Sequence, residues 1–590
     1  MSLTSESIRH AAVQPARRES PSAWFVPAGL LILCLALRAI MAWRMPGICP
    51  DAVVYVVMGK AIEAGKSQPS LWQIHFNVYP LILAQLHRLG FSWETAGVAW
   101  SVVIASCTVL PLYGWIRRAF NHRLAIAAGI LYAIHPGLIR WSAEIIRDST
   151  FWFLLTLGLY LTWRAVSELR WAWYLAAGTA IALACLTRFE GFVLLLPLAA
   201  WSWRRLGEGK VISRRWAAAA LLCASVYPLT LLLINAVWFH GRTVDLIRDE
   251  PLELAQNWAW EVISGQRVAE NQNRADLLPP LPPWKMAGRF ASGLYKGITP
   301  LYLVLMVVGI VTWRRPVGVA AFAGTLPLRT AAETSVAFRS AKDRDIRGTK
   351  GNNTTVIDSP VLRPGLQPQY RALACAAALI LAAIWIHLYW SHEAGPRYFF
   401  PVVLMAAPIA GWGFLQISAA AANRVRGRFG PKTALLAGAA PLALLLAVNL
   451  SMAWNNDVQA RAANVDLGHW VQVHYGRVRI FGPDGIAHVV NHYCGGACYA
   501  YPQATSTSAI VRTAQREEPN VVLLCTDCRQ PPADDVSACL VAVGFTTVDR
   551  ARLPASCEKF QVLVRGVADK CVAVDSAGSF VVSGGVKPRS

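Results

Sequence analysis

Long apolar stretches recur along this chain, and they limit its fold more than any other feature. Most residues from Trp24 to Trp43 are apolar, and comparable stretches return as far as Trp454. A helix needs about 20 such residues to cross the hydrocarbon core of a bilayer. Within lipid the backbone must satisfy its own polar groups, which a helix does internally. The predicted fold is therefore a polytopic α-helical membrane protein. Charged residues make up 15% and hydrophobic ones 55%, whereas a soluble domain carries about a quarter charged residues. The 24 Trp suit membrane interfaces. A net charge of +22 would suggest nucleic acid in a soluble protein. Here the basic residues lie in short connections between apolar stretches, where they set orientation. No nucleic-acid partner is expected.

Residues 1–22 are polar and basic, with Arg9, Arg17 and Arg18. The apolar stretch after them is too long for a signal core and has no clear small-residue cleavage site. It reads as a retained span behind a cytoplasmic tail. Spans are predicted at 23–43, 93–116, 124–140, 149–163, 172–187, 191–203, 217–239, 294–313, 372–390, 398–418 and 433–454, about eleven in all. Basic residues then fall on alternate connections: Arg117, Arg118 and Arg123; Arg164 and Arg170; Arg204 to Arg215; Arg314 and Arg315; Arg424 to Lys432. That alternation predicts a cytoplasmic N-terminus and an extracytoplasmic C-terminus in a plasma (inner) membrane. The extracytoplasmic segments are then 44–92, 140–148, 188–190, 240–293, 391–397 and the tail from 455. Residues 23–454 form the transmembrane domain, with a cytoplasmic loop at 317–370, rich in Thr, Ser, Arg and Lys, predicted to be mostly disordered.

The tail, 455–590, reads differently. Short apolar runs at 478–481, 521–524 and 560–564 look like strands, and 508–517 and 534–543 like helices. The alternation predicts a small α/β domain. It holds seven of the 13 Cys: Cys494, Cys498, Cys525, Cys528, Cys539, Cys557 and Cys571. Outside the cytoplasm disulfides are the default. The pairs Cys494/Cys498 and Cys525/Cys528 also have the spacing of a zinc knuckle or a redox pair. His488 and His492, just before Cys494, keep metal binding open.

Four extracytoplasmic stretches concentrate polar chemistry. Asp51 follows the first span, with Tyr55 at i+4, so both lie on one face if the stretch is helical. Asp51 is then a base facing a substrate cavity, or else an acid capping a helix start. Glu144 and Asp148 are also i, i+4, beside Arg140 and Arg147. Carboxylates at a span end are expensive unless paired or used; a helix end pairing Glu144 with Arg140 and Arg147 is the plainer reading. Arg397 stands at the mouth of a span, where a guanidinium suits a lipid phosphate bidentately, or simply snorkels. Arg188 and Glu190 are close enough to pair with each other. The four stretches share one side of the membrane. A pocket of carboxylates and cations opening to the outer leaflet suits a lipid phosphate or pyrophosphate.

In its motifs the chain resembles the GT-C superfamily of membrane glycosyltransferases. It is most similar to the branch holding protein O-mannosyltransferases, the lipid A aminoarabinose transferase and the bacterial lipopolysaccharide-core galacturonosyltransferases. The likeness covers roughly 24–415. It rests on Asp51, Tyr55, Ala61 and Gly65; on Tyr79-Pro80-Leu81; on Pro136, Ser142, Glu144 and Asp148; on Arg188-Phe189-Glu190-Gly191; and on Arg397-Tyr398 with Pro401. The resemblance implies that Asp51 is the catalytic base and that Asp148 helps hold the acceptor or a divalent metal ion, with Asp51 as the other ligand. It implies substrate-binding roles for Tyr55, Tyr79, Glu144, Arg188, Glu190, Arg397 and Tyr398. It also implies a polyprenyl-phosphate sugar donor, an inverting displacement, and a hydroxyl acceptor on lipid, glycan or protein. Two departures stand out. Ala52 replaces the second acid common beside the first-loop Asp. Asn77-Val78-Tyr79-Pro80 replaces the Lys-Pro-Pro pattern of the aminoarabinose branch, so phosphate binding falls to Arg397, or to Lys60, Lys66 or His75.

Two readings of other classes compete, a transporter or lipid flippase and a non-catalytic subunit that presents the tail. Transporters tend to carry internal repeats and broken helices at the midplane. Here no repeat is visible and the polar residues gather at one interface. The pairing of Asp51 with Asp148 argues against the non-catalytic subunit.

Overall fold

The computed structural model describes residues 24–65, 77–168, 170–207, 226–227, 229–230, 232–233, 282–312, 368–391, 395–454, 458–483, 485–501, 506–526, 533–566, 572–574 and 580–582. The first part is helical: α1 (Phe25–Arg44), α2 (Pro50–Glu63), α3 (Val78–Arg88), α4 (Trp93–Cys107), α5 (Val109–Ala119), α6 (His122–Ile134), α7 (Pro136–Ser142), α8 (Asp148–Glu168), α9 (Trp171–Thr187) and α10 (Leu195–Gly207). It continues with α11 (Pro283–Ile298), α12 (Pro300–Thr312), α13 (Pro368–Ser391) and α14 (Phe400–Trp454). By length and composition, five helices among the described residues can cross a membrane, or seven if each bent pair is one span. The stretch expected as a span at 217–239 and the loops at 240–281 and 317–367 lie largely or wholly outside the described residues, as does the tail at 1–22.

Local chemistry sets the boundaries. Pro50 opens α2 and Asp51 stands in its first turn, where the missing N–H costs nothing and a negative charge meets the helix dipole. Side chains of Asn77, Ser92 and Asn121 cap α3, α4 and α6, each accepting from an N–H that has no partner within its own helix. Two predicted spans are broken. The one at 124–140 bends by 57° between α6 and α7, where Pro136 cannot donate to the helical ladder and His135 caps the new helix. The one at 294–313 bends by 84° between α11 and α12. There Thr299 has φ +64° and Pro300 follows it. α14 also contains a break, at Gly430 with φ +82°, directly before Pro431.

The tail is the α/β unit the sequence predicts. After α15 (Val458–Tyr475) come β1 (Arg479–Pro483), α16 (Ile486–Cys494), β2 (Ala497–Tyr501), α17 (Thr507–Glu517), β3 (Val521–Cys525), α18 (Ala533–Ala542), β4 (Thr546–Thr547) and β5 (Phe560–Val564). The sheet order is β2-β1-β3-β5-β4. β1 runs parallel to β2 and β3, and β5 antiparallel to β3 and β4. Successive strand residues point to opposite faces. Ile480 and Val521 join a core with Leu467, Val471 and Val490 of α15 and α16, while Phe481 and Val522 join one with Ile510 and Leu540 of α17 and α18.

The disulfides favoured by the sequence are not formed at the described positions. Cys494, Cys525, Cys539 and Cys557 carry free thiols; Cys528 and Cys571 lie outside the described residues. Cys494 is buried at the end of α16, its thiol toward the Asn491 carbonyl at 3.7 Å. Two hydrophobic clusters, one on each face of the sheet, hold the described part of the unit.

This unit seats on the loops of the helical part. Val489 of α16 shares one apolar cluster with Ile48, Cys49, Ala52, Val53, Tyr55, Tyr79, Ile145 and Ile146, and Tyr493 packs on it. His492 Nε2 lies 3.2 Å from a carboxylate oxygen of Glu94, at the start of α4.

Candidate functional site

α2 brings Asp51 and Tyr55 to one face, as their spacing predicts. The Asp51 side chain is 40% exposed and pairs with Arg397. Arg397 lies in the 3₁₀ turn Pro396–Phe399 that leads into α14. Its guanidinium stands 5.2 Å from the ring centre of Trp141 and 5.4 Å from that of Tyr398, close enough for cation–π attraction. Tyr55 is buried, edge-on to Tyr79 with ring centres 5.3 Å apart. Burial pushes the Tyr55 phenol up to about 12; Asp51 and Asp148 add to the shift, against Arg147 and Arg397. Tyr55 therefore presents a protonated hydroxyl at neutral pH. Tyr79 is fully buried, with its hydroxyl 3.2 Å from Ser101 Oγ. Its ring packs against Tyr55 while its hydroxyl turns to Ser101.

Asp148 is the first residue of α8, and its side chain is only 3% exposed. Arg188, at the end of α9, donates to Asp148 at 2.5 Å and to both oxygens of Glu190 at 3.2 Å and 2.6 Å. The expected Arg188–Glu190 pair is present, and Asp148 completes a buried triad with it. Tyr398 links the two ion-pair groups, since the Arg188 guanidinium also stands 5.2 Å from its ring centre. Arg397 is close enough to feel Asp148 as well as Asp51.

Glu144 corrects the sequence reading. α7 ends at Ser142 and α8 begins at Asp148, so a turn separates Glu144 from Asp148 and they share no helical face. The backbone there closes a turn, with the Ile146 N–H donating to the Glu144 carbonyl at 3.0 Å. Glu144 also finds a partner that its neighbours in sequence do not suggest. Its carboxylate, 2% exposed, pairs with Arg461 of α15. Sequence spacing could not reveal a partner so far along the chain. Arg147 instead lies close enough to act electrostatically on both Tyr55 and Glu190, and its Nε is buried without a hydrogen-bond partner.

A divalent cation at Asp51 and Asp148 does not suit these residues. Each carboxylate already holds an arginine. Among the described residues no three His, Cys, Asp or Glu side chains form a group that could hold a metal, whereas hard cations take about six or more oxygen ligands. Among the described residues of the tail there is no such group either, and His492 is engaged with Glu94. Of the alternative phosphate ligands, Lys60 is exposed on α2, and Lys66 and His75 lie outside the described residues.

Residues 76–238 match the family described as dolichyl-phosphate-mannose-protein mannosyltransferase. No curated protein matches the chain in sequence. Among solved structures it is similar to the archaeal oligosaccharyltransferase AglB from Archaeoglobus fulgidus, in complex with an inhibitory peptide and a dolichol-phosphate. The identity is 12% and the TM-score 0.49, over 86% of this chain and 70% of that one. The oligosaccharyltransferase of the same organism in complex with Zn and sulfate is 13% identical, with TM-score 0.46, over 89% and 72%. ArnT from Cupriavidus metallidurans bound to undecaprenyl phosphate is 12% identical, with TM-score 0.49, over 92% and 98%. The family match spans Tyr79, Glu144, Asp148, Arg188 and Glu190, so these five lie in the part of the chain that is similar to that family.

Proposed function

We propose that this protein moves a sugar from a polyprenyl-phosphate donor to a hydroxyl of a lipid, glycan or protein acceptor, at the extracytoplasmic face of the plasma (inner) membrane. The observation that carries the reading is the contrast between its two central acids. Asp51 is open on one side and held by Arg397 on the other, whereas Asp148 is closed in with Arg188. Of the two, Asp51 is the one exposed enough to meet an incoming hydroxyl.

The chemistry follows from the leaving group. The acceptor oxygen attacks the anomeric carbon and its proton passes to Asp51. The bond from that carbon to the phosphate oxygen breaks, and the polyprenyl phosphate departs with the electron pair. It is a stable anion and needs no general acid, so one base suffices. The charge growing on phosphate needs cations already in place. Arg397 serves there, and Arg147 is the further cation at hand. A donor phosphate that draws Arg397 to itself leaves the Asp51 carboxylate oxygens free to take up the acceptor's proton. Asp148, Arg188 and Glu190 form the buried frame that fixes Tyr398 beside Arg397. Attack opposite the leaving group inverts the anomeric centre.

The test is transfer by the purified full-length protein in liposomes, from polyprenyl-phosphate sugars to acceptor lipids. Asp51→Asn should lower the rate by about 10²–10⁴-fold, the usual worth of a general base. Equal transfer by wild type and variant would overturn the assignment. Substrate flux without transfer would favour a transporter.

A further inference from the structure

Glu144 is buried, and the arginine that neutralises it comes from the C-terminal unit. The surroundings of this pair tie it to Asp51. The thiol of Cys49, two residues before Asp51, is pushed well up by burial, then by the charges of Glu144 and Asp51, against that of Arg461. All four groups thus gather at the start of α2. Gly47 has φ +63°, and a Cβ there would overlap Val465 of α15 and stand 2.9 Å from the Tyr493 hydroxyl. Pro50 lies against Gly485, where an added Cβ would be 3.2 Å away. The turn into α2 is therefore gripped between α15 and α16 on one side and the Glu144 turn on the other.

We propose that Arg461 is a positioning residue, through which the C-terminal unit sets the place of Asp51. The significance of that placement rests on the proposed role of Asp51 as base; the placement itself does not. Breaking a buried pair leaves a charge without compensation. Without the guanidinium, the Glu144 turn must shift toward water or draw α15 with it. Either movement loosens residues 45–52. A base displaced by about 1 Å can lose about 10²-fold in rate.

Three full-length variants test this: Arg461→Ala, Arg461→Lys and the exchanged pair Arg461→Glu with Glu144→Arg. Hydrogen exchange is followed over residues 45–58 and, separately, over the sheet at 479–564. In parallel, binding of undecaprenyl phosphate and transfer from polyprenyl-phosphate sugars are measured. Arg461→Ala should speed exchange at 45–58 by about tenfold or more and lower kcat by about 10–100-fold. Exchange in the sheet and undecaprenyl phosphate binding should stay within about threefold. Lysine should recover part of the loss and the exchanged pair more. Unchanged exchange at 45–58 in Arg461→Ala overturns the proposal. So does an equal rise through the sheet with no recovery in the lysine or exchanged variants, which would mark a purely structural contact. If wild type transfers no sugar, the catalytic reading falls and the exchange comparison still decides whether Arg461 positions the segment.

Discussion

Arg188 is the residue on which the closed half of the site depends. It lies between two acids, Asp148 and Glu190, and its side chain is only 6% exposed. Removing one partner from a buried ionic group typically costs about 3–5 kcal/mol, because the charge left behind has neither water nor counter-ion. Arg188→Ala should therefore lower thermal stability sharply, read as the midpoint of unfolding in detergent. Arg188→Lys should recover only part of it, since an ammonium cannot serve both acids with the geometry of a planar fork. Much at this scale was readable beforehand. Spacing alone suggested the Arg188–Glu190 pair and the shared face of Asp51 and Tyr55. The role of Tyr79 was not readable, because a Tyr beside Pro80 reads the same whether it faces a substrate or a neighbouring helix. Its burial against Tyr55 is decided by tertiary packing.

α12 and α14 show how closely the helices themselves approach. A Cβ added at Gly309 would overlap the Ile409 carbonyl, and one at Gly413 would overlap the Leu305 carbonyl. These are backbone atoms and cannot move aside as a side chain would. Small residues at such crossings let helices pack by direct backbone contact, which matters in lipid because apolar surface alone does not drive association there. Gly413→Val should cost about 1–3 kcal/mol of stability, the usual price of overpacking, and it should lower the yield of folded protein in a fluorescence size-exclusion assay. Gly288, with nothing within 4 Å of an added Cβ, should tolerate the same change. Hydropathy marks apolar helices but not their breaks. Both broken spans read as straight in the sequence, because an average over some twenty residues is insensitive to one Pro. Yet His135-Pro136 and Thr299-Pro300 were the local signals, since the residue before a proline is biased away from helix. The same blindness put Glu144 and Asp148 on one helix, when the chain turns between them.

At the scale of the whole molecule, the proposed sidedness can be checked directly. A membrane-impermeant maleimide applied to intact spheroplasts should label a cysteine placed at Ser506, the exposed residue that caps the start of α17, in a variant lacking its other reactive thiols. The reverse pattern, labelling only after lysis, would overturn the orientation and with it the extracytoplasmic site. The α/β nature of the tail was legible from its short strands, whereas its seat on the first loop was not. That seat depends on Val489, Tyr493 and Arg461 meeting residues near the other end of the chain. Contacts that join distant segments leave no periodic trace in sequence.

The Glu144–Arg461 contact also has a consequence for biosynthesis. The chain emerges from the ribosome N-terminus first, and domains generally fold as they appear. Glu144 is made long before Arg461, so the newly inserted helices wait with an acid whose counter-ion does not yet exist. Until the unit that carries Arg461 is translated and docks, the Asp51 turn lacks one of its walls. Maturation of the proposed site then waits on that unit, and a message truncated before codon 461 should yield helices that carry Asp51 without the fixed turn around it.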